Sequence, residues 1–282
     1  MNKIINLLGK PYYNKNNILL YKGDTLKILK KLKNSKLFDA TITSPPYNIG
    51  KEYEKNLTTD AYLEWSEEWI NSVYKTSKDN ASFWLNLGYY SVENIGKAVP
   101  IIYTLWNRIP FYLQQEIIWN YGAGVAAKKF FSPRNEKFLW YLKDKDNYKF
   151  FLDRIRDPNV KYPNQKKNGK IKVNSLGKNP SDVWYIPKVT SGSKRSSKER
   201  TAHPAQFPIA LINRIVLSST NENDLILDPF LGSGTTAVSA LLYKRKFLGI
   251  EIDEKYIKIA ANRIEKDYEI YKKQTNQLNL GF

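Results

Sequence analysis

An apolar run of strand length, residues Leu37 to Thr43, stops on Ser44-Pro45-Pro46-Tyr47-Asn48. Two adjacent prolines cannot donate to a central ladder, so the chain must leave any sheet at that point. Much further along, the short strand-like run Asp224 to Leu227 leads into Asp228-Pro229-Phe230-Leu231-Gly232-Ser233-Gly234-Thr235-Thr236. There a Gly-x-Gly turn opens directly into a helical stretch. Glycine lets backbone approach a ligand closely, and a helix start offers unpaired N–H groups with a favourable dipole. A Gly-x-Gly alone is often only a tight turn. The next apolar run, Lys246 to Ile250, ends on Glu251, 23 positions beyond Asp228. An acid at the end of the following strand is the arrangement that grips ribose hydroxyls in nucleotide-type sites.

Between these loops, strand-like and helix-like segments alternate. Strands are expected at 17–21, 37–43, 82–87, 115–119, 138–142, 224–227 and 246–250, and helices at 25–32, 59–75, 207–217, 235–243 and 254–272. Alternation of this kind argues for an α/β domain around a largely parallel sheet. From Lys143 to Arg200 the periodicity fades while Asn, Gly, Pro, Ser and Lys accumulate. Between Lys161 and Arg200 eleven basic residues face two acidic ones, Asp182 and Glu199. The expected organisation is therefore three segments, 1–142, 143–200 and 201–282, with a basic insertion interrupting one α/β domain.

Charge points the same way. The 282 residues carry 45 Lys+Arg against 27 Asp+Glu, a net charge of +18, which calls for a polyanionic partner, nucleic acid before a membrane surface. A Lys- and Asn-rich coding bias would raise the count too, but would not cluster it. The absence of cysteine removes disulfides, thiolate metal sites and a cysteine nucleophile. The cysteine-adduct route to methylation at carbon 5 of cytosine goes with them. One histidine, His203, cannot by itself build a typical zinc site, and no metal is expected. The apolar stretch at the N-terminus, broken by Asn6 and closed by Lys10, is too short for a signal peptide. No run approaches the ~18 apolar residues needed to span a bilayer. A cytoplasmic protein without a membrane partner is expected.

Together the Ser44–Tyr47 and Asp228–Thr236 loops resemble the catalytic and cofactor loops of the amino-methyltransferases of DNA, which modify cytosine N4 or adenine N6. The catalytic loop comes first, as in the beta arrangement of that family, a circular permutation of the more familiar order. The resemblance covers roughly 17–142 and 201–263. It implies a Rossmann-like methyltransferase fold, S-adenosyl-L-methionine as cofactor, double-stranded DNA as substrate, and a target base flipped out of the helix. It also implies direct transfer by a catalytic loop of Ser44, Pro45, Pro46 and Tyr47. An exocyclic amine is a poor nucleophile because its lone pair is delocalised into the ring. The Ser44 hydroxyl and Pro45 carbonyl would accept both N–H bonds and aim that lone pair, and Tyr47 would offer a stacking face. The cofactor would be held by Asp228, Pro229, Phe230, Gly232, Ser233, Gly234, Thr235, Thr236 and Glu251. Asp24 and the His203/Gln206 segment resemble further cofactor-side motifs, although Asp24 could equally be a helix cap and His203 a packing residue. Arg134-Asn135-Glu136 departs from the Arg-His-Glu of many relatives.

Family members with Ser at the first motif position mostly methylate cytosine N4, and those with Asp or Asn mostly adenine N6. Cytosine N4 is the expectation and adenine N6 the alternative; a DNA-binding protein with a vestigial site is the rival from another class. The basic insertion is the expected target-recognition region, with Lys166, Lys167, Lys194, Arg195 and Lys198 on DNA phosphates. A cognate restriction endonuclease is an implied partner, and either a monomer or a homodimer fits.

Overall fold

Strand ends, rather than any one helix, organise this molecule. The computed structural model describes residues 1–32, 35–50, 57–124, 126–189 and 199–279. In chain order the elements are helix α1 (Asn2–Leu8), strands β1 (Tyr13–Lys15) and β2 (Ile18–Lys22), α2 (Thr25–Leu32), β3 (Phe38–Thr43) and α3 (Thr59–Thr76). Next come β4 (Ser77–Leu87), β5 (Tyr89–Val92), β6 (Gly96–Pro100), α4 (Ile101–Leu105), β7 (Tyr112–Asn120) and β8 (Asn135–Leu142). The basic stretch holds β9 (Lys166–Lys167), β10 (Lys170–Ile171) and β11 (Val183–Tyr185). The chain closes with α5 (Ile209–Ser219), β12 (Leu225–Asp228), α6 (Thr235–Leu242), β13 (Lys246–Glu251) and α7 (Glu254–Asn279).

Nine strands form one sheet in the order β1-β2-β13-β12-β3-β4-β8-β7-β11. Pairing is parallel from β2 through β13, β12 and β3 to β4. It becomes antiparallel at β8 and β7, and β11 returns parallel to β7 on the far edge. The central strands β3 and β12 are buried along their whole length, as sheets covered on both faces require. Side chains alternate between two cores. Ile18, Leu20, Ala40, Ile42, Trp84 and Ile226 pack with α5, α6 and α7. Leu19, Tyr21, Phe38, Phe83, Leu85 and Leu227 pack with the first four helices. The expected α/β architecture with a mainly parallel sheet is observed.

Several boundaries differ from those expected. Strand β4 starts five residues before Ser82, because Ser77 pairs with Phe38 and Lys78 reaches the buried Asp39 at 2.8 Å, contacts that polar sequence does not announce. Helix α5 starts after Pro208, its N-cap, and not at Phe207. Part of the basic stretch also joins the sheet as β11, where Trp184 is buried and its indole donates to the Ser181 carbonyl at 2.9 Å.

Candidate active site

Because β3 and β12 are parallel neighbours, the two loops distant in sequence leave the sheet side by side. Thr43, the last residue of β3, donates its hydroxyl to Asp228 Oδ1 at 2.7 Å, and the Phe230 N–H donates to the same oxygen at 3.2 Å. Both strand ends are therefore tied at the point where each loop departs. Burial pushes the Asp228 carboxyl up to about 6, against the pull of these donors.

The residues that follow β3 form a hydroxyl chain. Ser44 Oγ donates to Tyr47 Oη at 3.0 Å, and Tyr47 Oη donates to Asn86 Oδ1 at 2.5 Å. The Asn86 amide donates to the Lys137 carbonyl at 3.0 Å, which anchors the chain to β8. The Pro46 carbonyl accepts from Tyr62 Oη of α3 at 2.9 Å. A Cβ at Gly88 would lie 2.7 Å from the Tyr47 ring, so the glycine allows that ring to lie against backbone. A hydroxyl that has given its one proton to Tyr47 keeps lone pairs to accept with.

On the β12 side, Gly232 and Gly234 have φ of +51° and +77°, a left-handed region suited to glycine. The Gly232 N–H donates to Glu251 Oε2 at 2.8 Å, and the Asp253 N–H to Glu251 Oε1 at 2.9 Å. Burial raises the Glu251 carboxyl. Gly23 N–H donates to the Glu251 carbonyl at 2.8 Å, and Thr25 donates to the Pro229 carbonyl, so the start of α2 abuts the loop. Asp24 caps that helix through the Lys27 N–H at 2.9 Å. Phe230 packs edge-on against Trp69 with ring centroids 5.1 Å apart. Ser233, Thr235 and Thr236 are buried.

His203 lies under Gly232, its Nε2 3.0 Å from where a Cβ would stand, and packs on Tyr256 at 4.3 Å. Burial lowers its pKa to about 4, so the ring is neutral at pH 7. Gln206 accepts from the Thr201 N–H at 2.8 Å and donates to the Glu199 carbonyl at 2.7 Å, so its amide braces its own turn. Lys166 and Lys167 stand exposed on the β9–β10 hairpin. Lys194, Arg195 and Lys198 lie outside the described residues. Among the described residues no His/Asp/Glu group could hold a metal ion.

Sequence reasoning missed four positions. Asn86 is the lone polar residue in the apolar run Phe83 to Leu87, and that isolation was its signal. Arg263 lies on the apolar face of α7 with Ile257, Ala260 and Ile264, and donates to Thr235 Oγ1 at 2.7 Å, holding the glycine loop from below. Thr43 and Gly88 matter only through partners that the fold brings to them.

A family model for the N6/N4 methyltransferases, described as DNA methylase, matches residues 38–262. The chain belongs to that family. This methylase is similar to the type II methyltransferase M.ScaI of Streptomyces caespitosus, 59% identical over 260 residues, covering 92% of this chain and 85% of the relative. Its fold matches the solved PvuII cytosine-N4-specific DNA methyltransferase with a TM-score of 0.70 at 21% identity, over 91% and 89% of the two chains. It also matches the M1.HpyAVI complex with S-adenosylmethionine with a TM-score of 0.61 at 24% identity, over 88% of this chain and 99% of the other. The methylase is a restriction-modification DNA amino-methyltransferase, its substrate is DNA and its cofactor is S-adenosyl-L-methionine. No described helix is long and apolar enough to cross a membrane.

Proposed function

We propose that this methylase modifies the exocyclic N4 of cytosine in duplex DNA, flipped out of the stack into the space beside Ser44. The observation that carries the reading is the chain from Ser44 Oγ through Tyr47 Oη to Asn86 Oδ1, standing one strand away from the glycine loop. A neutral hydroxyl already committed as a donor presents only acceptor capacity to an incoming amine. With the Pro45 carbonyl it orients both N–H bonds, which turns the nitrogen lone pair toward the neighbouring loop. Pro45 and Pro46 hold that geometry without rearrangement, and the Tyr47 ring supports the base.

The residues of the other loop suit the cofactor. Two left-handed glycines keep side chains away from the cradle, and the start of α6 points N–H groups into it. Glu251 binds the ribose hydroxyls, Asp228 and the Gly232–Gly234 backbone face the amino-acid part, and Pro229, Phe230, Ser233, Thr235 and Thr236 shape the cradle. Asp24, His203 and Gln206 support it from α2 and the segment before α5. When bound, S-adenosyl-L-methionine supplies an electrophilic methyl on a sulfonium. No general base is assigned: burial lowers the His203 pKa to about 4, too weak a base for the task, and the ring packs on Tyr256, so the proton of the methylated nitrogen is lost to solvent after transfer.

Residues 1–142 supply the catalytic half and 201–282 the cofactor half. Segment 143–200 supplies target recognition, with Lys166 and Lys167 of the exposed hairpin on phosphates, joined by Lys194, Arg195 and Lys198. A cognate endonuclease, a cytoplasmic location and a monomeric or dimeric state complete the reading.

The test is to incubate the protein with cofactor and mixed-sequence duplex DNA, digest to nucleosides, and identify the product by mass spectrometry. N4-methylcytosine is expected. N6-methyladenine would keep the family and overturn the base assignment, and the absence of any methylated nucleoside would support a vestigial site.

A further inference from the structure

Between β7 and β8 the chain makes an excursion, described at residues 121–124 and 126–134, and its tip carries the most exposed large apolar side chain among the described residues. Phe131 is 99% exposed and Phe130 60%. The Ala127 N–H donates to Ser132 Oγ at 2.9 Å, which closes the excursion and leaves Lys128, Lys129, Phe130 and Phe131 as a projecting tip. Both lysines are exposed. The nearby acid, Glu136, is committed to Lys188 at 2.6 Å. An apolar ring flanked by unopposed cations fits a polyanion with an apolar interior better than it fits water.

Position decides what the tip can reach. The excursion departs from Asn120, paired with Asn135, at the same end of the sheet as the catalytic loop. Two residues on, Lys137 pairs with Leu87 and its carbonyl holds Asn86, the acceptor of the Tyr47 hydroxyl. Lys97 Nζ lies 5.4 Å over the Phe130 ring, and Lys97 also lines a cavity of about 590 Å³ together with Asn48 of the catalytic loop. The tip therefore stands at the end of the sheet that carries the hydroxyl chain, beside a lysine that lines the same cavity as Asn48.

We propose that Phe131 is a wedge that enters the base stack of duplex DNA beside the target, filling the gap left by the flipped base, while Lys128 and Lys129 hold the flanking phosphates. A phenyl ring makes no hydrogen bonds to base edges, so it stacks on any neighbour and leaves sequence reading to other residues. Its cost of exposure in the unbound protein is recovered only when the stack opens, which places its effect on base extrusion and not on chemistry. The inference rests on the base-flipping reading above.

The test compares Phe131→Ala, Phe131→Trp and wild type on three DNAs carrying the methylated site, as mapped by sequencing product DNA. These are the matched duplex, the same duplex mismatched at the target base, and the matched duplex with a fluorescent base analogue at the target. A mismatch lowers the cost of extrusion. Phe131→Ala should reduce kcat/KM on the matched duplex by roughly ten- to a hundredfold, the scale of one base–aromatic stack, and on the mismatched duplex by less than about threefold. Phe131→Trp should restore most of the loss. An equal loss on both duplexes, or none on the matched one, would overturn the wedge. So would a changed molecular mass of Phe131→Ala by light scattering, which would assign the ring to a contact between copies. Wild type that neither brightens the analogue nor favours the mismatch would overturn base flipping itself, and the wedge with it.

Discussion

The two left-handed glycines of the loop after β12 are held by different neighbours, and that difference can be measured. At Gly234 an added Cβ would lie 2.8 Å from Ala260 Cβ and 3.1 Å from Ala260 Cα, so it meets the backbone of α7. At Gly232 its nearest neighbours would be atoms of the His203 ring, with Nε2 at 3.0 Å. Both substitutions carry the left-handed penalty of an L-residue, about 1–2 kcal/mol. Gly234→Ala adds overpacking against a helix that cannot move alone, about 1–3 kcal/mol, for a total of about 2–5 kcal/mol. Gly232→Ala adds less, because a ring can tilt by a few tenths of an ångström. Urea unfolding of the ligand-free protein should therefore rank Gly234→Ala well below Gly232→Ala. Pairing Gly234→Ala with Ala260→Gly should recover part of the loss, less about 1 kcal/mol for glycine inside a helix. Cofactor affinity by calorimetry should fall for both, since each shifts backbone of the proposed cofactor cradle. If Gly232→Ala proved as destabilising as Gly234→Ala, or if the second substitution recovered nothing, the packing argument would be wrong.

Other expectations concern the hydroxyl chain and the buried ionisable groups. Ser44→Ala should lower single-turnover rate on the order of a hundredfold or more while calorimetry shows nearly unchanged cofactor binding. Asn86→Leu removes the side-chain acceptor of the Tyr47 hydroxyl and the donor to the Lys137 carbonyl, and should cost about 1–3 kcal/mol in unfolding along with most of the turnover. Asp228 and His203 oppose each other as pH changes. Asp228 at about 6 binds its proton more tightly when folded, so it removes stability as pH rises from about 4 to about 6. His203 at about 4 binds its proton less tightly when folded, so it adds stability over a similar window. Asp228→Asn should thus steepen the rise in stability between those pH values and weaken cofactor binding at neutral pH. Urea midpoints that do not change their pH slope would contradict the assignment of Asp228.

Most of the sheet was legible because its central strands are short apolar blocks ended by proline, glycine or acid, as at Thr43 and Asp228. The loops were legible because their composition is tied to what their backbones must do. What escaped depends on tertiary partners. The polar start of β4 is a strand only because Phe38 and Asp39 lie beside it, and three residues of β11 are too few to show a period. Counting charge along the basic stretch also misleads in part. Lys178 and Lys188 look unopposed in sequence, yet Asp157 and Glu136 neutralise them from outside that window. Lys149 is likewise spent between Asp39 and Asp224. Asn86 and Arg263 announced themselves only as polar residues on apolar faces, a signal that marks importance without saying for what.

The hydrogen bond from Thr43 to Asp228 has a bearing on how such a site can diversify. Neighbouring parallel strands are separated by a fixed backbone spacing of about 4.8 Å. On the proposed assignment of the two loops, the sheet acts as a ruler between the one that would present the amine and the one that would cradle the donor. Under that assignment peripheral segments would be at liberty to exchange one DNA target for another, because the separation of the two loops is set elsewhere, in the main chain of β3 and β12.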